Sequence, residues 1–136
     1  MYQKIVLVGR LGRDPEMRYL QNGTPVTSFS VATDRKWTDA SGQTQERTTW
    51  FRVSAWRRLA ETCNQYLTKG SLVLVEGEIQ EPRTYQARDG EWRASLDVTA
   101  LTVKFLSTRG ESAAAGEYSA RDEEAGPTID EEEIPF

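Results

Sequence analysis

Along the first hundred or so residues the apolar positions recur mostly at every second place, interrupted once by an interval of helical spacing. Ile5-Val6-Leu7-Val8 is apolar on both faces and bounded by Gly9 and Gly12. That pattern predicts a strand buried on both sides, or one whose outer face meets another subunit. Asp14-Pro15 marks a turn, residues 17–20 resume an extended pattern, and Asn22-Gly23 predicts a hairpin because both residues tolerate positive φ. Thr24 to Thr33 reads as the return strand, with Val26, Phe29 and Val31 as core candidates. Residues 34–47 are polar and punctuated by Gly and Ser, which predicts a long exposed loop or a flared hairpin. Thr48 to Trp56 is again rich in β-branched and aromatic residues, as strands are.

The period then changes. Leu59, Ala60, Cys63, Tyr66 and Leu67 fall at helical spacing, and Lys69-Gly70 reads as a basic last turn with a glycine stop. Leu72 to Gln80 is the next strand, with Gly77 as a bend, and residues 81–93 form a second long hairpin containing Pro82 and Asp89-Gly90. Ser95 to Leu106 closes the set through Leu96, Val98, Leu101, Val103 and Phe105; the step from 98 to 101 breaks alternation and predicts a bulge. Three strands, one short helix and two strands is the order of the OB-fold, a five-stranded Greek-key barrel. The expected fold class is therefore all-β, with the helix between strands 3 and 4, over residues 1–108. Residues 109–129 lose both periods and read as a disordered linker, and 130–136 as a separate acidic tip.

Charge sharpens that division. The formal net charge of −4 averages two unlike regions: residues 1–109 hold 16 Lys and Arg against 12 Asp and Glu, whereas residues 110–136 hold one Arg against nine acids. A mildly basic body thus carries a strongly acidic tail, and the two attract each other or seek different partners. The tail closes on Asp130-Glu131-Glu132-Glu133-Ile134-Pro135-Phe136. Adjacent carboxylates ending in an apolar anchor suit docking into a basic pocket on another protein; a solvated terminus is the plainer alternative, but it leaves the exposed aromatic unexplained. There is no histidine and one cysteine, Cys63, so the commonest general base is missing and no zinc site or internal disulfide can be built. No cofactor or metal is expected. No run of 18 apolar residues exists and the start of the chain does not read as a signal peptide, so a cytoplasmic protein is expected.

Four tryptophans in so short a chain need places. Trp37 stands in a polar stretch beside Arg35 and Lys36. Trp50 and Trp56 share strand parity with Arg52, Ser54 and Arg58, while Phe51, Val53 and Ala55 take the other face. One face is aromatic and cationic, the other apolar. Tyr85 lies in the 81–93 hairpin near Arg83 and Arg88, and Trp92 adjoins Arg93. Aromatics interleaved with cations suit single-stranded nucleic acid, whose unpaired bases stack while its phosphates take the positive charge. The same residues would also serve an OB-fold scaffold that binds proteins, or a module that binds RNA; an enzyme is disfavoured by the missing histidine.

The chain closely resembles the bacterial-type single-stranded DNA-binding proteins. The carriers are the run from Ile5 to Tyr19, Asn22-Gly23, Trp50-Phe51-Arg52-Val53, Leu59-Ala60-Glu61, Tyr66-Leu67-Thr68-Lys69-Gly70-Ser71, Val75-Glu76-Gly77 and the terminal Ile134-Pro135-Phe136. The resemblance implies a non-catalytic homotetramer that binds single-stranded DNA with little sequence preference, in a bacterial cytoplasm and at the nucleoid. It implies stacking at Trp37, Trp50 and Trp56 (the last usually Phe in the family) and at Tyr85. It implies phosphate contacts at Lys4, Arg52, Arg58 and Lys69, to which Arg18, Arg35 and Lys36 are added as further candidates. It also implies that the tip, here rich in glutamate where the family favours aspartate, recruits replication, recombination and repair proteins.

Overall fold

The computed structural model describes residues 1–107; the proposed linker and tip lie outside the described residues. In chain order the elements are β1 (Ile5–Leu11), β2 (Glu16–Tyr19), β3 (Pro25–Thr38), β4 (Thr44–Trp56), α1 (Arg58–Tyr66), β5 (Leu72–Ile79), β6 (Arg83–Gln86), β7 (Trp92–Ser95) and β8 (Asp97–Phe105). The main sheet runs β1-β5-β8-β4-β3-β2, and β1 also pairs with β3, so five strands close into a barrel. β4 and β8 pair in parallel, from Arg52↔Asp97 to Ser54↔Thr99, while the other ladders are antiparallel. This is the Greek-key order of the OB-fold expected from the sequence.

Closure depends on β1 serving two neighbours. Its residues from Ile5 to Arg10 pair with β5, and its end crosses to β3 through Arg10↔Ala32 and Leu11↔Val31. Gly9 sits where the crossing begins, and a Cβ there would run into the Ala32 carbonyl. Gly77 plays the matching part on β5, where a Cβ would strike the Thr99 carbonyl. Beside it the β5–β8 register shifts, Glu76 facing Thr102 and Gly77 facing Ala100, which leaves Leu101 as an extra residue. The broken alternation in the sequence is that bulge.

The core is filled by Leu7, Leu11, Phe29, Val31, Val53, Ala55, Val73, Val75, Val98 and Ala100, with Cys63 and Leu67 supplied by α1 and its end. Burial pushes the Cys63 thiol up to about 12, so it stays a protonated packing group. Thr27 also faces inward, its hydroxyl donating to the Ala60 carbonyl at 2.6 Å and tying α1 to β3. Val26 is buried too, but it pairs with Trp56 and lies outside the core cluster. On β1, Leu7 is buried and Val6 is half exposed, so one face of that strand is open in this chain.

Some local expectations are met and others give way. Of loop and flared hairpin, the polar stretch 34–47 takes the hairpin: β3 reaches Thr38, β4 starts at Thr44, and together they project as a ribbon closed by a tight turn. That turn, Asp39 to Gln43, has the Gly42 N–H donating to the Asp39 carbonyl and Gly42 at φ 82°. The same hydrogen-bond pattern recurs at Leu20–Thr24 and Ala87–Glu91. Only the glycine adopts positive φ in these turns, so Asn22 does not use the freedom expected of it. The helix ends at Tyr66, with the Leu67 N–H donating to the Cys63 carbonyl, and Gly70 belongs to a later turn instead of a helix stop. Tyr66 is exposed and leans on Phe105, with ring centroids 6.0 Å apart, instead of entering the core.

The backbone clash at Gly77 gives a direct test of closure. Gly77→Ala is expected to destabilise the barrel by about 1–3 kcal/mol, because a carbonyl cannot rotate out of the way as a side chain can. A shifted urea midpoint at unchanged slope checks this.

Candidate nucleic-acid interface

The long β3–β4 pair builds the site. Thirteen paired positions run from Val26↔Trp56 to Thr38↔Thr44. Alternation sends Phe51, Val53 and Ala55 inward and leaves Trp50, Arg52, Ser54 and Trp56 on the outer surface. Across the ladder Trp50 faces Ala32, Arg52 faces Ser30 and Ser54 faces Ser28, so small residues lie between the large ones.

Three adjoining depressions follow this surface. The largest, about 840 Å³, is lined by Arg18, Ser28, Arg52, Ser54 and Trp56, and on its far side by Gln80 to Arg83, Asp97 and Thr99. A second, about 140 Å³, shares Ser28 and Arg52 with it and adds Arg13, Ser30 and the acids Asp14 and Glu16. A third, about 440 Å³, shares Arg13 and Ser30 with the second and ends at Gly12 and Trp50. Linked by these shared residues, they form one open trough with an indole toward each end. The two tryptophans are about 20 Å apart along the strand, and they are 53% and 43% exposed.

Trp50 has a seat that residue type alone did not reveal. A Cβ on Gly12 would come within 2.5 Å of the Trp50 ring, so the missing side chain makes room for the indole to lie against the β1 end. The Gly9-to-Gly12 spacing was visible in the sequence, but its partner, nearly forty residues on, was not. Ser28, Ser30, Arg13 and Asp97 were likewise absent from the expected site, and Arg83 entered it only as a neighbour of Tyr85. The two serines alternate visibly with Phe29 and Val31, and only the register against β4 shows what they lie beside.

The other candidate residues stand in different places. Trp37 is half-buried on the ribbon, where register puts it on the face of Arg35, Gln45 and Arg47, opposite to Trp50. The Arg35 and Arg47 guanidiniums lie 5.2 and 6.0 Å from its ring centroid, a cation–π arrangement. Lys36 takes the other face of the ribbon and is exposed. The ribbon tip is held by Asp39, whose carboxylate accepts from the Ser41 hydroxyl at 2.6 Å, the Gln43 N–H at 3.0 Å and Gln45 Nε2 at 3.0 Å. The Ser41 hydrogen bond, followed by that from Gln43, lowers the Asp39 pKa below the usual carboxylate value.

Tyr85 and Trp92 both sit on the β6–β7 arm, a two-stranded sheet of its own, where Tyr85 pairs with Arg93 and Trp92 with Gln86. The two aromatics thus take opposite faces of the arm. Lys4, Arg58 and Lys69 lie outside the trough lining. Lys4 is 3.5 Å from Glu76 across the β1–β5 pair. Arg58 opens α1 after a sharp turn at Arg57, which has φ 60°, so strand parity no longer relates it to Trp56. Lys69 belongs to the Thr68–Ser71 turn, and its N–H donates to Asp14 at 2.7 Å. Among the described residues no three His, Cys, Asp or Glu side chains gather as metal ligands.

An indole-ended, arginine-lined trough on an OB barrel invites comparison with known proteins. The sequence profile of the single-strand binding protein family matches residues 2–106. The chain belongs to that family. Among its members, the chain is 49% identical over 115 residues to a single-stranded DNA-binding protein of Neisseria meningitidis, covering 85% of this chain and 66% of that protein. This chain therefore spans just under two thirds of the Neisseria relative. A single-stranded DNA-binding protein of Thermotoga maritima is 41% identical, with 99% and 98% covered. A solved family structure, a Plasmodium falciparum SSB in complex with ssDNA, superposes with a TM-score of 0.67 at 26% identity, covering 79% of this chain and 97% of that one.

Family membership makes the Trp50 seat testable on its own. Gly12→Ala is expected to displace the indole, not the backbone, because the ring is the nearest neighbour of the added methyl. Thermal unfolding should change little, while the tryptophan emission, summed over the four indoles, shifts and oligonucleotide binding weakens.

Proposed function

We propose that this chain is a non-catalytic protein that binds single-stranded DNA with little sequence preference. The observation that carries this reading is the trough: exposed Trp50 and Trp56 flank Arg52 over a floor of Ser28, Ser30 and Ser54. Bases stack on exposed indoles whatever their identity, and arginines pair with phosphates at any sequence. The serine floor leaves room for a backbone without adding a base-reading pattern. Duplex DNA hides its base faces within the stack, so the same surface favours single strands.

Trp50 and Trp56 are the principal stacking residues, joined by Trp37 on the ribbon and Tyr85 on the arm. Arg18 and Arg52 meet phosphates within the trough, while Arg35, Lys36, Arg58, Lys69 and Lys4 do so along the path leading away from it. The open face of β1 around Val6 suits assembly with further copies, as the homotetramer implied by the resemblance requires. Through its acidic tip, Asp130 to Phe136, the chain recruits replication, recombination and repair proteins, working in a bacterial cytoplasm at the nucleoid.

Trp50→Ala and Trp56→Ala are each expected to weaken binding to poly(dT) by about 1–3 kcal/mol while the unfolding midpoint stays put. Logarithmic plots of affinity against salt should fall with a slope of about −0.7 per phosphate neutralised. A Trp50→Ala protein that melts early, yet binds normally per folded molecule, would make the indole a packing residue and remove the basis of the reading.

A further inference from the structure

Among the carboxylates that line the trough, Asp97 stands where a ligand phosphate would be welcome. Asp97 starts β8 and pairs in register with Arg52. Its side chain is 18% exposed. One of its oxygens, Oδ2, accepts from Nε of Arg83 at 3.0 Å and lies 2.8 Å from its Nη2 in an ion pair. The other, Oδ1, accepts from the Ser95 hydroxyl at 2.9 Å. Arg83 itself is 70% exposed and lines the largest depression together with Arg18, Arg52 and Trp56. An arginine in that position, at the root of the arm and across from a stacking indole, has the fork geometry that suits a phosphodiester.

We propose that Arg83 is a phosphate-binding site occupied in the free protein by Asp97, an internal carboxylate that an entering strand displaces. The proposal rests on the single-stranded DNA reading above. Carboxylate and phosphate present similar acceptor oxygens to a guanidinium, so Asp97 holds Arg83 aimed at the trough and also competes for it. While the pair is intact the two charges cancel, and Arg83 adds nothing to counterion release. Breaking it exchanges one ion pair for another, so the strand gains a phosphate contact while the Asp97 carboxylate is left beside Arg52. The net grip at this point is therefore held below what the arginines alone would supply. The pair also fastens the arm, because Arg83 begins β6 whereas Asp97 belongs to the barrel.

The test compares full-length wild type with Asp97→Asn, Arg83→Gln and the double variant, titrated with poly(dT) across a tenfold range of salt. Asp97→Asn frees Arg83 for phosphate, so binding at low salt tightens. Its logarithmic salt slope steepens by up to about 0.7, because no freed carboxylate is left to take up a cation as the strand binds; that is up to about fivefold more affinity lost over that range. Adding Arg83→Gln should return the slope to the wild-type value, whereas Arg83→Gln alone should weaken binding by leaving Asp97 unpaired in the trough. Slopes that match in wild type and Asp97→Asn would overturn the proposal. So would tightening that persists undiminished in the double variant, because the gain would then not pass through Arg83. Wild type that fails to bind poly(dT) at any salt would instead sink the single-stranded DNA reading. Matched circular dichroism and melting curves confirm that all four proteins are folded.

Discussion

Thirteen unbroken pairs hold β3 against β4, and because side chains alternate strictly along a strand, that register decides both the core and the trough. Phe29 and Val31 meet Val53 and Phe51 on the inside. On the outside the same ladder sets Ser28 and Ser30 beside Ser54 and Arg52. A slip of one residue would send Arg52 and Trp50 into the barrel and bring Val53 to the surface. The burial that stabilises the fold therefore fixes the spacing of the exposed indoles, with no separate device needed to hold them. The parallel β4–β8 pair carries the same register one strand farther and brings Asp97 next to Arg52.

Barrel closure supplies the other half of the site. β1 must turn from β5 to β3, and glycines mark its path where side chains would strike backbone or ring. Gly9 lets it pass the Ala32 carbonyl, and three residues later Gly12 leaves the space that the Trp50 indole fills. Fold and site meet at this corner: the chain that completes the barrel also makes the seat for one stacking residue. Trp56, at the other end, stands on the last residue of β4, directly before the turn at Arg57.

Much of this was legible in the sequence wherever burial imposes a period. The two faces of β4, the helix between the third and fourth long strands, and the bulge near Leu101 all followed from which positions are apolar. The reading faltered where burial does not select residues. The β3–β4 ribbon beyond the barrel carries Trp37 as its one large apolar side chain, so no alternation separated a hairpin from a loop between Asp34 and Arg47. Tyr66 fits the helical period yet turns outward onto Phe105, because an amphipathic ring satisfies a boundary position as well as a core one. Pairings across long sequence separations, such as Gly12 with Trp50, were out of reach of any local pattern. The Arg83–Asp97 pair was hidden for a related reason: its members are separated by the arm, and nothing in either residue type announces the other.

The measurement that bears most directly on the central claim is a tryptophan-fluorescence titration of the full chain. Poly(dT) and a duplex of equal length would be added in parallel at low and high salt. Indoles exposed in a cationic trough should be strongly quenched by the single strand alone, with weaker binding at high salt. Equal quenching by the duplex, or none by either strand form while the protein remains folded, would contradict the account.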